Sequence, residues 1–275
     1  MRSETNQMKA RKFAKMTATG NDFILFDNRN IEFKGKEKDY FRRLCQRRFS
    51  VGADGVILIE ESCSADFKYR HFNSDGHPVH ICGNGARAAC RFAYQKKIAG
   101  ENITFEVNET IYHGWCSKDR VTIDHPAPQD TQTELGIIQE KTFKEGGFAI
   151  IGVPHLVIFS NHVQDVDVNE LGKKYRHHPR FEKGANVNFV QVLDNHRIKV
   201  RTFERGVEGE TYACGTGAMA SAVISHICNG VASPVEVKTK GGDLLVKWDQ
   251  GFSRLYLEGE AHLVFEGQLT KRHHF

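Results

Sequence analysis

The chain has 275 residues, which is enough for one large domain or for two domains of ordinary size. Hydrophobic residues make up 40% of it and charged residues 26%, a balance typical of folded globular proteins and not of disordered chains. The formal net charge is only +4, and no apolar run approaches the roughly 20 residues that a bilayer-spanning helix needs, so we expect neither a nucleic-acid-binding protein nor a membrane protein.

The hydrophobic pattern predicts a chain of alternating strands and helices. In chain order, strands are predicted over residues 67–72, 103–107, 120–124, 197–203, 235–240, 244–248, 255–258 and 262–265. Helices are predicted over residues 39–49, 85–97, 169–177 and 217–228. The last helix is apolar nearly all round, which predicts burial on every side, and Asn229 and Gly230 are expected to close it.

Two further segments bear on organisation. The densest basic group, formed by Arg42, Arg43, Arg47 and Arg48, is interpreted as the solvated face of the first helix. Residues 125–134 contain two prolines among polar side chains, so a break between two domains is predicted there.

The cysteines favour a reducing compartment. There are seven, at positions 45, 63, 82, 90, 116, 214 and 228, without a C-x-x-C pair. The first fifteen residues hold no apolar stretch of the kind found in signal peptides. We therefore expect a cytoplasmic protein whose cysteines form no disulfide framework.

An internal repeat divides the chain. The frame C-G-x-G-A occurs at Cys82 and again at Cys214, 132 positions later. The same offset places Gly20-Asn21-Asp22-Phe23 on Gly152-Val153-Pro154-His155, and residues 52–54 on residues 184–186. Phe72 and Phe203 match with an offset of 131, one residue out of register. Three blocks in register predict two related halves, each with a curved sheet around a helix that begins at a C-G-x-G-A segment.

The chemistry of these segments points to acid–base catalysis by thiols. Glycines let a ligand approach the backbone, and a helix N-terminus offers unpaired N–H groups that bind a carboxylate. It also favours the thiolate of a cysteine in its first turn. Two such cysteines facing each other across a cleft suit inversion of a carbon next to a carboxylate, with one group removing a proton from one face and the other returning a proton to the opposite face.

Seven segments occur along the chain in this order: TGNDF, VGADGVILI, FNSDGHPVHICGNGAR, GVPH, GANVNFV, FERG and ACGTGA. Through them the chain resembles the diaminopimelate epimerase family along nearly its whole length. The resemblance implies an α/β (α+β) fold of two pseudosymmetric domains, each a mixed β-barrel or curved sheet wrapped around a central helix. The domains would cover residues 1–125 and 126–265, with a C-terminal strand over residues 266–275 returning to the first.

The resemblance also implies an activity. It is the epimerisation of LL-2,6-diaminopimelate to meso-diaminopimelate, on the bacterial path to lysine and peptidoglycan, without pyridoxal phosphate, metal or another cofactor. Family members are commonly homodimers, so the expected partners are the small-molecule substrate and a second copy of the chain.

Site residues are carried over position by position. Cys82 and Cys214 match the acid/base pair, with Cys214 taking the proton in the LL-to-meso direction. His155 and Glu204 match residues that assist the cysteines. Two further groups match substrate-binding residues. They are the cradle of the reacting carboxylate, Gly83, Asn84, Gly215 and Thr216, and the holders of the distal amino-acid end, Asn21, Asn73, Asn186, Glu204 and Arg205.

Three departures from the family pattern concern distal recognition. Val153 stands where many members have asparagine, and Gly55 where some have glutamine. The loop ERGVEGET is one residue longer than the commoner form, which accounts for the shifted register of the repeat.

Other interpretations of the same residues stay open. The two cysteines could be buried structural thiols, and His77, His80 and Cys82 could be metal ligands. His155 could merely orient a turn, and the three asparagines could be turn residues. Arg205 could form a surface ion pair with Glu208 or Glu210. Functional alternatives are a racemase of the same fold acting on another amino acid such as proline, a thiol redox protein, and a non-catalytic anion-binding module.

Overall fold

The computed structural model describes residues 11–34 and 37–270, which form eighteen β-strands and four α-helices. The strands up to residue 126 are β1 (Lys12–Ala18), β2 (Asn21–Asp27), β3 (Gly55–Glu60), β4 (Phe67–Asn73), β5 (Pro78–Val79), β6 (Asn102–Val107), β7 (Thr110–Cys116) and β8 (Arg120–Pro126). The strands after it are β9 (Gln129–Thr133), β10 (Phe143–Ile151), β11 (Val153–Ser160), β12 (Asn186–Asp194), β13 (Arg197–Glu204), β14 (Gly209–Thr211), β15 (Val235–Thr239), β16 (Gly242–Trp248), β17 (Arg254–Glu260) and β18 (His262–Gln268). The helices are α1 (Lys38–Leu44), α2 (Gly83–Gln95), α3 (Val168–Arg176) and α4 (Gly215–Asn229).

The repeat in the sequence is a repeat in the strand pairing. In the first half β1 and β2 pair antiparallel, β2 and β3 parallel, β3 and β4 antiparallel, and β4 and β6 parallel. In the second half β10, β11, β12, β13 and β15 follow the same sequence of pairings. The expected α+β fold with two pseudosymmetric halves is therefore confirmed.

The halves exchange their last strands. β8 of the first half pairs with β17 of the second, after which β9 joins β10 and β18 joins β1. β17 passes into β18 through Ala261 alone, so pairing with β1 starts at His262, earlier than the predicted 266–275. Of that predicted strand, residues 271–275 lie outside the described residues. The domain boundary at residue 125 stays a prediction.

Each half wraps its sheet around one central helix. Residues 215–225 of α4 are all buried, as its apolar sequence predicts, while its last turn is more open. Gly230 follows the helix with a φ of 70°, a left-handed conformation that glycine adopts without strain. The other two helices, α1 and α3, pack on the outer faces of their sheets over separate apolar clusters.

The predicted strands are confirmed within three residues at either end, and so are the three later helices. Two predictions are wrong in part. The first helix ends at Leu44 and not at residue 49, so only Arg42 and Arg43 lie on it, and Arg48 has a φ of 74° that no helix accommodates. Residues 125–134 do not interrupt the strand pattern, because β8 and β9 occupy most of them, whereas the break between domains predicted there stays a prediction. The side chains of β9 are mostly exposed, so hydropathy does not mark it; backbone pairing with β10 forms it.

No helix in the described ranges is long and apolar enough to cross a bilayer.

Candidate active site

The two central helices meet at their N-termini. Cys82 is the N-cap of α2 and Cys214 the N-cap of α4, with φ values of −119° and −117°. A Cβ added to Gly83 would lie 3.5 Å from the Cα of Gly215, and one added to Gly215 would lie 3.3 Å from the Cα of Gly83. At both positions the atom nearest to such a Cβ is Leu257 Cδ2, at 2.9 Å and 2.8 Å, so a larger residue would have to displace that side chain from the contact between the two helix ends. This contact brings two sets of unpaired N–H groups to one place.

A cavity of about 710 Å³ opens at this junction. Both cysteines line it. So do most of the other predicted site residues: Asn21, Asn73, Gly83, Asn84, Asn186, Glu204, Arg205, Gly215 and Thr216. Val153, one of the departures from the family pattern, lines it as well. The structure thus gathers into one cavity residues that are up to 195 positions apart in the sequence.

Burial dominates the electrostatics of the two thiols. Cys214 is 9% exposed and Cys82 is half-buried. Burial raises the pKa of the Cys82 thiol, while the N–H groups of Gly85 and Asn84 in the first turn of α2 oppose the rise. Burial also raises the pKa of the Cys214 thiol. The helix N-termini therefore do not by themselves make thiolates, contrary to the expectation from the sequence, because desolvation outweighs the amide groups.

The carboxylate of Glu204 influences both thiols through its negative charge. Its charge raises the pKa of both Cys82 and Cys214, so it acts on both sulfurs. Burial raises the pKa of the Glu204 carboxyl itself, and Asp54 adds to that rise. The Thr216 hydroxyl lies 3.6 Å from the Cys214 sulfur and favours its thiolate. A carboxyl with a raised pKa beside two thiols is a suitable proton acceptor.

His155 lies behind the cavity wall. It is fully buried on β11 and is not among the residues that line the cavity. The side-chain amide of Asn188 donates to its Nδ1 at 3.3 Å, which places the proton on Nε2. Nε2 has no hydrogen-bond partner within the described part of the chain. Burial lowers the pKa of His155 to about 3, so its imidazole is neutral.

The predicted distal residues Asn186, Arg205 and Asn21 lie in two hydrogen-bonded groups of the cavity wall. The Oδ1 of Asn186 accepts the backbone N–H of Arg205 at 2.7 Å. Asn84 donates to the Oδ1 of Asn21 at 2.6 Å, and Asn21 donates to Asp54 at 2.9 Å. These asparagines hold defined positions in the wall, although Asn73 is exposed.

The positive charge of Arg205 is available to a ligand in the cavity. Its guanidinium donates to the carbonyl of Lys183 at 3.2 Å, and it forms no ion pair with a carboxylate of the described residues. The surface pairs considered for it do not form, since Glu208 pairs with Arg176 and Glu210 with Arg201. A cation without a counter-ion at a cavity wall is suited to a carboxylate ligand.

Sequence reasoning did not single out Arg87. This arginine of the C-G-N-G-A-R segment is completely buried in α2. It donates to the carbonyl of Gly83 at 3.2 Å, to Asn84 Oδ1 at 2.8 Å and to Thr19 Oγ1 at 2.7 Å, all uncharged acceptors. It therefore places a positive charge directly behind the N-terminus of α2. The available signal was an arginine between two alanines in the predicted helix.

The cysteines form neither disulfides nor a metal site within the described residues. All seven cysteines lie within the described ranges and are free thiols. In the same ranges, no group of three His, Cys, Asp or Glu side chains is arranged to hold a metal ion, so His77, His80 and Cys82 do not form such a group.

Known proteins are similar to this chain over more than nine-tenths of its length. The family model for diaminopimelate epimerase matches residues 13–123 and 148–264, one match in each half. The diaminopimelate epimerase of Aquifex aeolicus (strain VF5) is 38% identical over 277 residues, covering 94% of this chain and 98% of the relative. That of Hydrogenobaculum sp. (strain Y04AAS1) is 42% identical over 271 residues, covering 93% and 97%.

Solved structures share the fold. A phenazine biosynthesis protein of the PhzF family from Bacillus anthracis aligns with a TM-score of 0.71 at 14% identity, covering 96% of this chain and 100% of that one. A hydroxyproline epimerase from Agrobacterium vitis, solved with bound trans-4-hydroxy-L-proline, aligns with a TM-score of 0.68 at 14% identity, covering 94% and 91%. At such identities the likeness concerns the fold alone.

Proposed function

The chain belongs to the diaminopimelate epimerase family, and we propose that it converts LL-2,6-diaminopimelate to meso-diaminopimelate by acid–base chemistry between Cys82 and Cys214. The family match supports the substrate. The observation that carries the mechanism is that both cysteines cap helices whose N-termini touch and line one cavity. The reaction belongs to the synthesis of lysine and peptidoglycan precursors.

The two thiols divide the proton transfers between them. In the LL-to-meso direction, the Cys214 thiolate takes the α-proton and becomes a thiol. The Cys82 thiol then delivers its proton to the opposite face of the same carbon and becomes a thiolate. The substrate loses one proton and gains one, and in the reverse direction the cysteines exchange roles. Positioned acid–base groups of this kind contribute roughly 100- to 10,000-fold to a rate.

The helix N-termini stabilise the intermediate. When the α-proton leaves, negative charge spreads onto the adjacent carboxylate. The N–H groups of Gly83, Asn84, Gly215 and Thr216 are placed to receive that carboxylate, and the charge of Arg87 lies behind them. Donors that are already oriented need no rearrangement as the charge develops.

One thiol must be ionised before the first transfer. Because burial raises the pKa of both thiols, the free protein holds them mainly as thiols at neutral pH. Glu204 acts on both sulfurs and has a raised pKa, so we assign to it the acceptance of a thiol proton. His155 stays neutral and assists from behind the wall.

The distal end of the substrate accounts for the rest of the cavity. Diaminopimelate has a second zwitterionic amino-acid group, and Arg205 offers its carboxylate a guanidinium without a counter-ion. A bidentate pair of this kind adds affinity and orientation. Proline has no second carboxylate, so the position of Arg205 favours diaminopimelate over the substrate of a proline racemase.

We further propose a cytoplasmic homodimer. Leu263, Val264 and Phe265 on β18 are exposed large apolar side chains, of the kind that association with a second copy would cover.

Isotope exchange tests the proposal. The protein is incubated with LL-diaminopimelate in deuterated water without added cofactor, and the α-protons are followed by NMR. Deuterium is expected at one α-carbon as the meso isomer forms, and parallel incubation with proline is expected to give no exchange.

Cysteine variants test the mechanism in the same assay. Cys82→Ser and Cys214→Ser are each expected to lower epimerisation at least about 100-fold while binding largely survives. Cys63→Ser, an exposed cysteine outside the cavity, is the matched control and should turn over at the rate of the unaltered protein. Unchanged turnover in either cavity variant would refute the two-cysteine mechanism.

A further inference from the structure

We propose that His71 is a substrate-binding residue of this cavity that accepts a hydrogen bond from a substrate ammonium group. This inference rests on the proposed function and extends it to a residue that the site described above does not use. His71 lines the cavity but is only 3% exposed. Neither of its ring nitrogens has a hydrogen-bond partner within the described part of the chain. Buried polar atoms in folded proteins are nearly always paired, so two unpaired nitrogens at a cavity wall point to a ligand.

The position of His71 along β4 places it inside the site. Successive side chains of a strand point to opposite faces, so Tyr69, His71 and Asn73 lie on the same face of β4. The Tyr69 hydroxyl lies 2.7 Å from the position of a Cβ added to Gly85, and the Cys82 Cβ lies 3.5 Å from the same point. Tyr69 is therefore beside Cys82, and the ring of His71 follows with its centroid 6.0 Å from that of Tyr69. His71 stands between the reacting cysteine and Asn73 of the distal wall.

The imidazole is held by packing and not by hydrogen bonds. On one side the ring of Phe23 meets it edge to face, with centroids 5.5 Å apart and planes at 80°. On the other side, a Cβ added to Gly55 would lie 2.6 Å from His71 Nε2. Only glycine at position 55 leaves room for the ring. The imidazole is thus oriented by its neighbours, while neither nitrogen is engaged in a hydrogen bond with the described residues.

The charge state of His71 suits an ammonium partner. Burial lowers the pKa of His71 to about 3, so the ring is neutral and has one acceptor nitrogen at neutral pH. The substrate has two carboxylates and two ammonium groups. The helix N–H groups and Arg205 supply donors for the carboxylates, whereas the ammonium groups need acceptors, and Glu204 is already assigned to accept a thiol proton. The bare nitrogen of His71 supplies an acceptor without placing a negative charge beside the thiols.

Three variants test this assignment through the KM for LL-diaminopimelate. His71→Leu keeps an apolar side chain of similar size and removes both nitrogens, whereas His71→Gln keeps an acceptor. Ile57→Val is the matched control, because Ile57 pairs with His71 across β3 and β4 but does not line the cavity. We expect His71→Leu to raise KM about tenfold with a smaller change in kcat, His71→Gln to restore most of the KM, and Ile57→Val to leave it unaltered.

The outcomes separate the two proposals. Turnover by the unaltered protein together with an unchanged KM in folded His71→Leu refutes the role of His71 alone. Absence of turnover by the unaltered protein refutes the proposed function, and the role of His71 with it. If His71→Leu does not fold, His71→Met replaces it, since the flexible methionine side chain fills irregular gaps. Equal losses in the leucine and glutamine variants would also overturn the proposal, because they would indicate a packing role.

Discussion

Lowering the pH from 7 to 5 is expected to destabilise this protein through two buried histidines. The pKa of His71 and that of His155 are each lowered to about 3 by burial, from 6.5 in an unfolded chain. Between these values the unfolded chain binds a proton at each site and the folded chain does not. The stability that each neutral imidazole supplies is therefore complete above pH 6.5 and is lost progressively as the pH falls toward 3.

The two pKa values set the magnitude. Each histidine lowers the free energy of unfolding by about 2 kcal/mol between pH 7 and pH 5, so the pair accounts for about 4 kcal/mol. That is a large part of the roughly 5–15 kcal/mol total of a typical domain. Burial also lowers the pKa of His125, which adds to the loss in the same direction. Carboxyl groups with a lowered pKa, such as that of Asp22, contribute only at lower pH.

Urea unfolding at pH 7, 6 and 5, followed by circular dichroism, measures this dependence. His71→Leu and His155→Gln should each remove about 2 kcal/mol of the decline between pH 7 and pH 5. Ile57→Val should lower the free energy of unfolding by about 0.5–1.5 kcal/mol at every pH and leave the slope unchanged. If either histidine variant keeps the full slope of the unaltered protein, that histidine is protonated in the folded state and the reasoning fails.

Three further predictions concern the junction of the helices. Gly215→Ala is expected to lower the free energy of unfolding by about 1–3 kcal/mol, measured by urea unfolding, because the added Cβ would lie 2.8 Å from Leu257 Cδ2. Arg87→Met is expected to lower kcat on the order of tenfold or more in the exchange assay, and Arg87→Lys is expected to restore part of the loss. An unchanged kcat in Arg87→Met would show that the charge of Arg87 does not contribute to catalysis. At pH 7, iodoacetamide should label the exposed Cys63 before Cys214, as measured by mass spectrometry. Because the pKa of Cys214 is raised, the rate at which Cys214 is labelled should increase about tenfold for each unit of increase in pH.

Much of the architecture could be predicted from the sequence because its signals are local. Each of these signals spans only a few residues: the periodicity of strands and helices, the glycine after α4 and the duplicated C-G-x-G-A frame. Spacing between the copies then indicated that Cys82 and Cys214 hold equivalent places, and the strand pairings repeat accordingly. Prediction was wrong where local pattern and tertiary pairing differ, as in β9, whose mostly exposed side chains belong to a strand only through β10.

Properties that depend on distant residues required the folded chain. The raised pKa of Cys214 comes from burial among several elements, which its neighbours in the sequence do not reveal. The same holds for the neutral His155 behind the cavity wall, for the uncompensated charge of Arg87, and for the free nitrogens of His71 beside Gly55. A sequence specifies which side chains are present and how they alternate along the chain. Here that was enough to predict the two related halves and the equivalent positions of Cys82 and Cys214. Desolvation and unpaired polar atoms arise only when both halves close around one cavity, so the tertiary structure alone decided them.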